Sequence, residues 1–552
     1  MRRVSPFLLA ALALYAPPGL AAPQAPGARA ASAPAAAAPA PHAPAGVLGL
    51  DLPGIAAALA AGETTSEALV EGYLARIEAI DRTGPTLRSV LAVNPMAREA
   101  ARAADERRRA GEALGPLDGV PILLKDNIET ADPMATTAGA LALEANRTGR
   151  DAPLVAGLRA QGAVILGKTN LSQWANFRSN DSISGWSALG GQVKNPHMLD
   201  RSPCGSSSGS GVAVAASLAA GAVGTETNGS ISCPATVNGV VGFKPTVGLV
   251  SQQYIVPISS SQDTAGPMTR SVAGAALMLA AMATGEAKAD YTAALDAGAL
   301  EGTRLGVARF AQGSNKDVMA LFDRALADLA AAGAVLVEIE EHEPPDGFWG
   351  HARTAMRYEF KATLDDYLAH AAPAVGTRDL AALIAFNEAH ADVELALFGQ
   401  DIFEASAALG ELDSAEYREA LAAIQKATRA DGIDALLAEH EVVALVSPSG
   451  PLAPRVDAIN GDVWPEWAGA GWMAAVAGYP HLTVPMGTVD GLPIGLSFIG
   501  GKDQDARILG LGYAYEQKTH RRVEPSYLPD AEARPDIAAA MRGRRGQEAP
   551  PR

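Results

Sequence analysis

An α/β fold is predicted by three observations. Short apolar runs at 119–125 and 163–168, each ending on a lysine, are separated by a helical stretch, and such alternation is the pattern of a sheet covered by helices. Further strand-like runs at 303–310, 334–338, 442–447 and 492–499 alternate with helical patterns at 317–332 and 505–517. The composition, 48% hydrophobic and 19% charged with Gly 56 and Pro 37, is that of a globular chain with many turns. A length of 552 residues leaves the domain count open between several domains and one large one.

At the N-terminus, two arginines at Arg2 and Arg3 precede an apolar run at 7–16 and a small-residue end at 19–22, the form of a signal peptide cleaved after Ala21. The run is too short for a membrane span, and no later stretch offers about 20 uninterrupted apolar residues. An exported, periplasmic or secreted protein without a membrane anchor is therefore expected, and both Sec and Tat routes stay open. Residues 22–46 are almost wholly Ala and Pro and read as an extended linker that has too few large apolar side chains to offset ordering entropy.

Folded sequence is expected from Val47 to 529. Thr64-Thr-Ser-Glu67 has the capping-box form, and Leu69, Tyr73, Leu74, Ile77 and Ile80 follow at helical spacing. Residues 350–440 are helical in pattern and read as an insertion over the sheet. Residues 530–552, charged and without apolar period, read as a flexible tail.

Charge and ligand chemistry exclude several classes. A net charge of -17 is the wrong sign for phosphate backbones or anionic membranes, so neither nucleic acid nor a membrane is an expected partner. Nine His and two Cys show neither His-Glu-x-x-His nor Cys-x-x-Cys spacing, so no metal is expected and the protein is read as cofactor-free. Two strings match known motifs and fail on context. Gly162-Ala-Val-Ile-Leu-Gly-Lys-Thr169 satisfies the phosphate-loop pattern, but its interior is the strand itself rather than a flexible loop. Gly205-Ser-Ser-Ser-Gly209 matches the nucleophile elbow but follows Ser-Pro-Cys instead of an apolar strand, with no identifiable His or acid partner.

A Ser/Gly cluster in isolation is more often a solvated loop than a catalytic turn. Here the cluster at 205–209 is followed by a small-residue helical stretch at 211–220, a second Gly/Ser turn at 224–230, and is preceded by the strand that ends on Lys125. One serine relaying a proton and another attacking a carbonyl suits such a set, since glycine lets backbone donors approach a reacting group.

On these residues the chain resembles the amidase signature family, whose pattern combines a Gly-Ser-Ser turn, a Gly-Thr-(Asp/Glu)-x-Gly-Ser-Ile turn and a lysine closing a Val-Pro-x-x-x-Lys-Asp strand. Gly167-Lys-Thr-Asn-Leu-Ser172, Gly239-Val-Val-Gly-Phe-Lys-Pro-Thr246, Asp263-Thr-Ala-Gly-Pro267 and Gly491-Leu-Pro-Ile-Gly-Leu496 extend the likeness from about 50 to 520. Within the family, the segments 174–187 and 202–209 are similar to bacterial peptide amidases that remove the C-terminal amide. The resemblance implies one large α/β domain over 47–529, with a central mixed, mostly parallel sheet covered by helices on both faces.

It also implies roles. Ser230 would be the nucleophile, Ser206 a bridging serine after a cis peptide at Gly205, and Lys125 the base, with Gly205 and Ser207 in support. Burial beside Ile122, Leu123 and Leu124 disfavours an ammonium, so a neutral Lys125 is expected to accept the proton that Ser206 passes from Ser230. The backbone N–H groups of Thr227, Asn228, Gly229 and Ser230 are the expected oxyanion donors. Asn228 and Ser232 depart from the family's usual residues. Ser232 stands where many members carry Arg, a partner for substrate carboxylates, so it is a candidate pocket residue that disfavours small dicarboxylate monoamides. Asp126 either orients Lys125 or caps a turn, and Cys204 and Cys233 either form a bridge or stay separate thiols. The aromatic segment 174–186 is read as core rather than pocket. Three classes remain: a monomeric exported serine amidase acting on peptide or other carboxamides through an acyl-enzyme, an amidotransferase component serving aminoacyl-tRNA, and an inactive binding relative.

Overall fold

The apolar runs pair into an eleven-stranded mixed sheet in the order Val90–Val93, Val164–Thr169, Pro121–Lys125, Gly221–Glu226, Thr264–Thr269, Val241–Lys244, His481–Val489, Leu492–Ile499, Ala444–Pro448, Arg304–Ala308, Val335–Ile339. The structure is a computed structural model that describes residues 46–285 and 289–547. The expected signal peptide and nearly all of the Ala/Pro linker lie outside the described residues, as do 548–552.

Parallel pairing is confined to the two flanks. Pro121–Lys125 runs parallel to Val164–Thr169 and Gly221–Glu226, and Arg304–Ala308 runs parallel to Val335–Ile339 and Ala444–Pro448. Antiparallel strands join the flanks through the centre. Parallel neighbours need long crossovers, which the helices Pro153–Ala160 and Lys316–Ala331 supply between their strand pairs. The result is the single large α/β domain predicted, with helices flanking the sheet. Among the described residues no helix is long and apolar enough to cross a membrane.

Strands read from sequence recur within one or two residues of the expected bounds, but several were not legible. Gly221–Glu226 and Thr264–Thr269 are buried along their whole length and rich in Gly and Thr, so they carry neither alternation nor a long apolar run. An unforeseen helix, Leu52–Ala60, opens the domain, and the helix expected at the Thr64-Thr-Ser-Glu67 string shifts. It spans Ser66–Arg76 with Thr65, not Thr64, at the N-cap, and the Asp105 carboxylate accepts from the N–H groups of Ser66 and Glu67 at 2.8 and 3.0 Å. Thr65 Oγ1 caps the Ala68 N–H locally at 3.0 Å, and the tertiary Asp105 takes the Ser66 and Glu67 donors beside it. The small-residue stretch at 211–220 is helical only within Ser208–Ala215. The segment read as a flexible tail carries the helix Pro535–Gln547.

Residues 348–439 are helical as expected. Phe360, Leu364, Leu383 and Phe403 of this insertion form a buried cluster with Trp174, and Phe177 meets Phe360 edge-on at 5.0 Å. This packing holds the 174–186 segment over the serine turns.

Candidate active site

Lys125 closes its strand with no exposed surface, and its amine donates to Ser206 Oγ at 2.7 Å, Thr225 Oγ1 at 2.8 Å and the Thr225 carbonyl at 3.3 Å. Burial lowers its pKa to about 7, against the opposing pull of Asp263 and Glu226. A lysine so placed is a base near neutral pH. Asn127 donates to the same Thr225 Oγ1 at 2.9 Å. Sequence reasoning singles out neither Asn127 nor Thr225, although Thr225 lies inside the second motif. Asp126 turns away from Lys125: it accepts from Thr137 and pairs with buried Lys168 at 3.4 Å, which resolves its role as local anchoring.

The Gly205–Ser206 peptide is cis. A Cβ at 205 would stand 2.1 Å from Ser172 Oγ and 2.6 Å from Asn176 Oδ1, so any other residue there would have to displace both side chains. Ser207 ties the two turns together. Its hydroxyl donates to the Thr225 carbonyl at 3.0 Å and accepts from the Thr225 N–H at 3.1 Å, while its own N–H donates to the Ser230 carbonyl at 3.1 Å. Cys204 and Cys233 are disulfide-bonded, with Cα atoms 5.9 Å apart, so the pairing left open by sequence is a covalent link between the turns. Closing a loop of sequence separation 29 restricts the unfolded chain, an effect of about 3–4 kcal/mol by loop-closure entropy. A Cys204→Ala/Cys233→Ala variant is expected to lose stability on that scale in a urea titration. Unchanged unfolding would show that the bridge contributes nothing to stability.

The second turn leaves its backbone donors open. Gly229 adopts a φ of 85°, a left-handed conformation that glycine takes without steric cost. Among the described residues, no protein acceptor takes the N–H groups of Thr227, Asn228, Gly229 or Ser230. Unused donors in successive residues are the kind of backbone set that can receive an anion. Two carboxylates hold it. Glu226 accepts from the N–H groups of Ile231 and Ser232 at 2.7 and 2.9 Å, and Asp263 accepts from Thr227 Oγ1 at 2.6 Å and from the N–H groups of Ile258 and Ser259 at 2.7 and 3.0 Å. Burial raises the Asp263 pKa to about 6. Its motif is visible in the sequence, but its role is not.

Gly205, Thr227, Asn228, Gly229 and Ser230 line one open cleft of about 360 Å³, whose walls come from Asn176, Phe177, Ser184, Met356, Asp462, Trp464 and Trp467. Lys125, Ser206 and Ser207 are fully buried behind it. Two sequence expectations are corrected here. Ser232 does not line the cleft: it begins the helix Ser232–Asn238, and its hydroxyl donates to Glu226 at 3.2 Å, so it faces the carboxylate that caps that helix. The aromatic segment divides, with Trp174 in the core while Asn176, Phe177, Asn180, Ser182 and Ser184 line the cleft. The 462–467 wall lies more than 230 residues beyond Ser230 and carries no local sequence signal.

A family model described as Amidase matches residues 68–509. The chain is 37% identical over 488 residues to a protein of Arabidopsis thaliana named a probable amidase, covering 84% of this chain and 89% of that one. It is 36% identical over 510 residues to one of the subunits of the glutamyl-tRNA(Gln) amidotransferase of Halorhodospira halophila, covering 86% of this chain and 98% of that one. The solved structure of native peptide amidase from Stenotrophomonas maltophilia superposes with a TM-score of 0.82 at 49% identity, covering 86% of this chain and 98% of that chain.

Proposed function

The chain belongs to the amidase signature family and is an amide-hydrolysing enzyme; from that premise we propose that it deamidates the C-terminal carboxamide of peptides outside the cytosol, through Ser230, Ser206 and Lys125. The observation that carries the mechanism is the buried 2.7 Å contact between Lys125 Nζ and Ser206 Oγ, set behind a cleft where Ser230 sits on four unused N–H donors.

Ser230 Oγ attacks the amide carbon as its proton moves to Ser206, whose own proton passes to neutral Lys125. Among the described residues no group bonds the Ser230 hydroxyl, so its contact to Ser206 closes in the substrate complex, as catalytic hydrogen bonds often do. The turn N–H groups take the oxyanion. Collapse breaks the C–N bond, the relay returns a proton to the departing nitrogen, and ammonia leaves an ester on Ser230. Water then attacks that ester through the same relay run again, giving the peptide acid and free Ser230.

The substrate assignment is supported by the likeness to the Stenotrophomonas peptide amidase and by a cleft whose lining contains no Lys or Arg to hold a small acid. The site outside the cytosol is supported by the N-terminal leader pattern and by a disulfide, a bond that persists in oxidising compartments. Ammonia release is the test, measured across peptide amides, malonamate, benzamide and glutamine. Peptide amides are expected to give the highest kcat/KM. A stronger preference for malonamate would overturn the peptide reading, and glutamine would point to ammonia supply of the amidotransferase kind.

A further inference from the structure

One ionisable side chain, Asp462, is found among the residues lining the cleft. Its carboxylate accepts from the Ser184 N–H at 2.9 Å and from Ser184 Oγ at 2.5 Å, and the Trp464 indole also donates to it. No Lys, Arg or His pairs with it among the described residues. A largely shielded carboxylate without a counter-ion is costly, and burial accordingly raises its pKa.

Trp464 borders it, and Trp467 lines the same cleft. Trp464 and Trp467 meet edge-on with centroids 5.4 Å apart, and the Trp467 ring lies 3.9 Å from where a Cβ on Gly229 would stand. The corner therefore adjoins the residue before Ser230. Indole faces attract cations and exclude anions, and a carboxylate beside them adds a full charge.

We propose that Asp462, with Trp464 and Trp467, selects peptide amides that carry an ammonium or guanidinium group on the acyl side of the scissile amide. The proposal rests on the peptide-amide reading above. A substrate cation would supply the counter-charge that Asp462 lacks in the protein, whereas a neutral peptide would leave the carboxylate shielded and unpaired. The cation has two sources, the α-ammonium of a short peptide or a basic side chain.

The experiment compares kcat/KM within matched pairs: Gly-Phe amide against acetyl-Gly-Phe amide for the α-ammonium, and acetyl-Lys-Phe amide against acetyl-norleucyl-Phe amide for the side chain. In the wild type, at least one pair is expected to favour the cationic member by about tenfold or more, the scale of one charge-assisted contact. Asp462→Asn, which keeps an acceptor for Ser184, is expected to bring that ratio close to one, and Trp467→Leu at the exposed rim to lower it several-fold. Carboxylate and indole act on the ratio, whereas a merely structural role would lower both members alike. Wild-type ratios near one in both pairs, or a ratio unchanged in both variants, overturn the proposal. Hydrolysis of benzamide with no peptide amide turned over overturns the peptide-amide reading itself, a separate result.

Discussion

Ser230→Ala is expected to abolish ammonia release, lowering kcat by roughly ten-thousand-fold or more, because the variant keeps the oxyanion donors and the cleft but has no oxygen to form the acyl-enzyme. The fold should not register the change. Ser230 is 9% exposed at the cleft, and no group among the described residues bonds its hydroxyl, so stability is expected to stay within about 0.5 kcal/mol, the usual range where no buried partner is lost. Initial rates and a urea titration on the same preparation separate the two effects. An active, equally stable variant would remove Ser230 from the nucleophile's role.

Lys125→Met should cost nearly as much activity, roughly a thousand-fold or more, because the parts of a relay act as a unit. Methionine preserves most of the buried volume, so the loss reports the amine rather than a cavity. The wild-type pH profile gives the sign. In the proposed relay neutral lysine is the proton acceptor, and its pKa is lowered to about 7, so kcat/KM is expected to rise with pH through a midpoint near 7 and to level off above it. Below that midpoint the ammonium cannot accept a proton, and activity falls about tenfold per pH unit. In Lys125→Met the residual rate should lose this limb. A variant retaining both the wild-type rate and the limb would assign the base elsewhere.

Much of the site was legible because its parts lie in short strings with local geometry. The strand that ends on Lys125, the glycine that leaves no room for a Cβ beside Ser206, and the Gly229 turn that exposes four amides are each set within a few residues. Ser232 escapes such reading for the complementary reason. A string shows a small neutral residue at its position, but which way the residue faces depends on Glu226 turning back to cap the following helix. Asp105 likewise supplements the local Thr65 cap by accepting from the Ser66 N–H across 39 residues, a contact that no local string shows.

Taken by itself, the sequence determined the α/β class, the family resemblance and the order of Lys125, Ser206 and Ser230, because apolar runs, glycines and polar residues at fixed spacing act over a few bonds. Tertiary structure alone decided the Cys204–Cys233 link, the departure of Ser232 from the cleft, and the meeting of Phe177, Met356, Asp462 and Trp467 around the cleft of Ser230. Those contacts join segments up to 290 residues apart: burial of the helical insertion against the 174–186 segment places Phe177, and packing of Trp464 on the cluster around Cys204 and Cys233 places the 462–467 wall, conditions that no local spacing encodes.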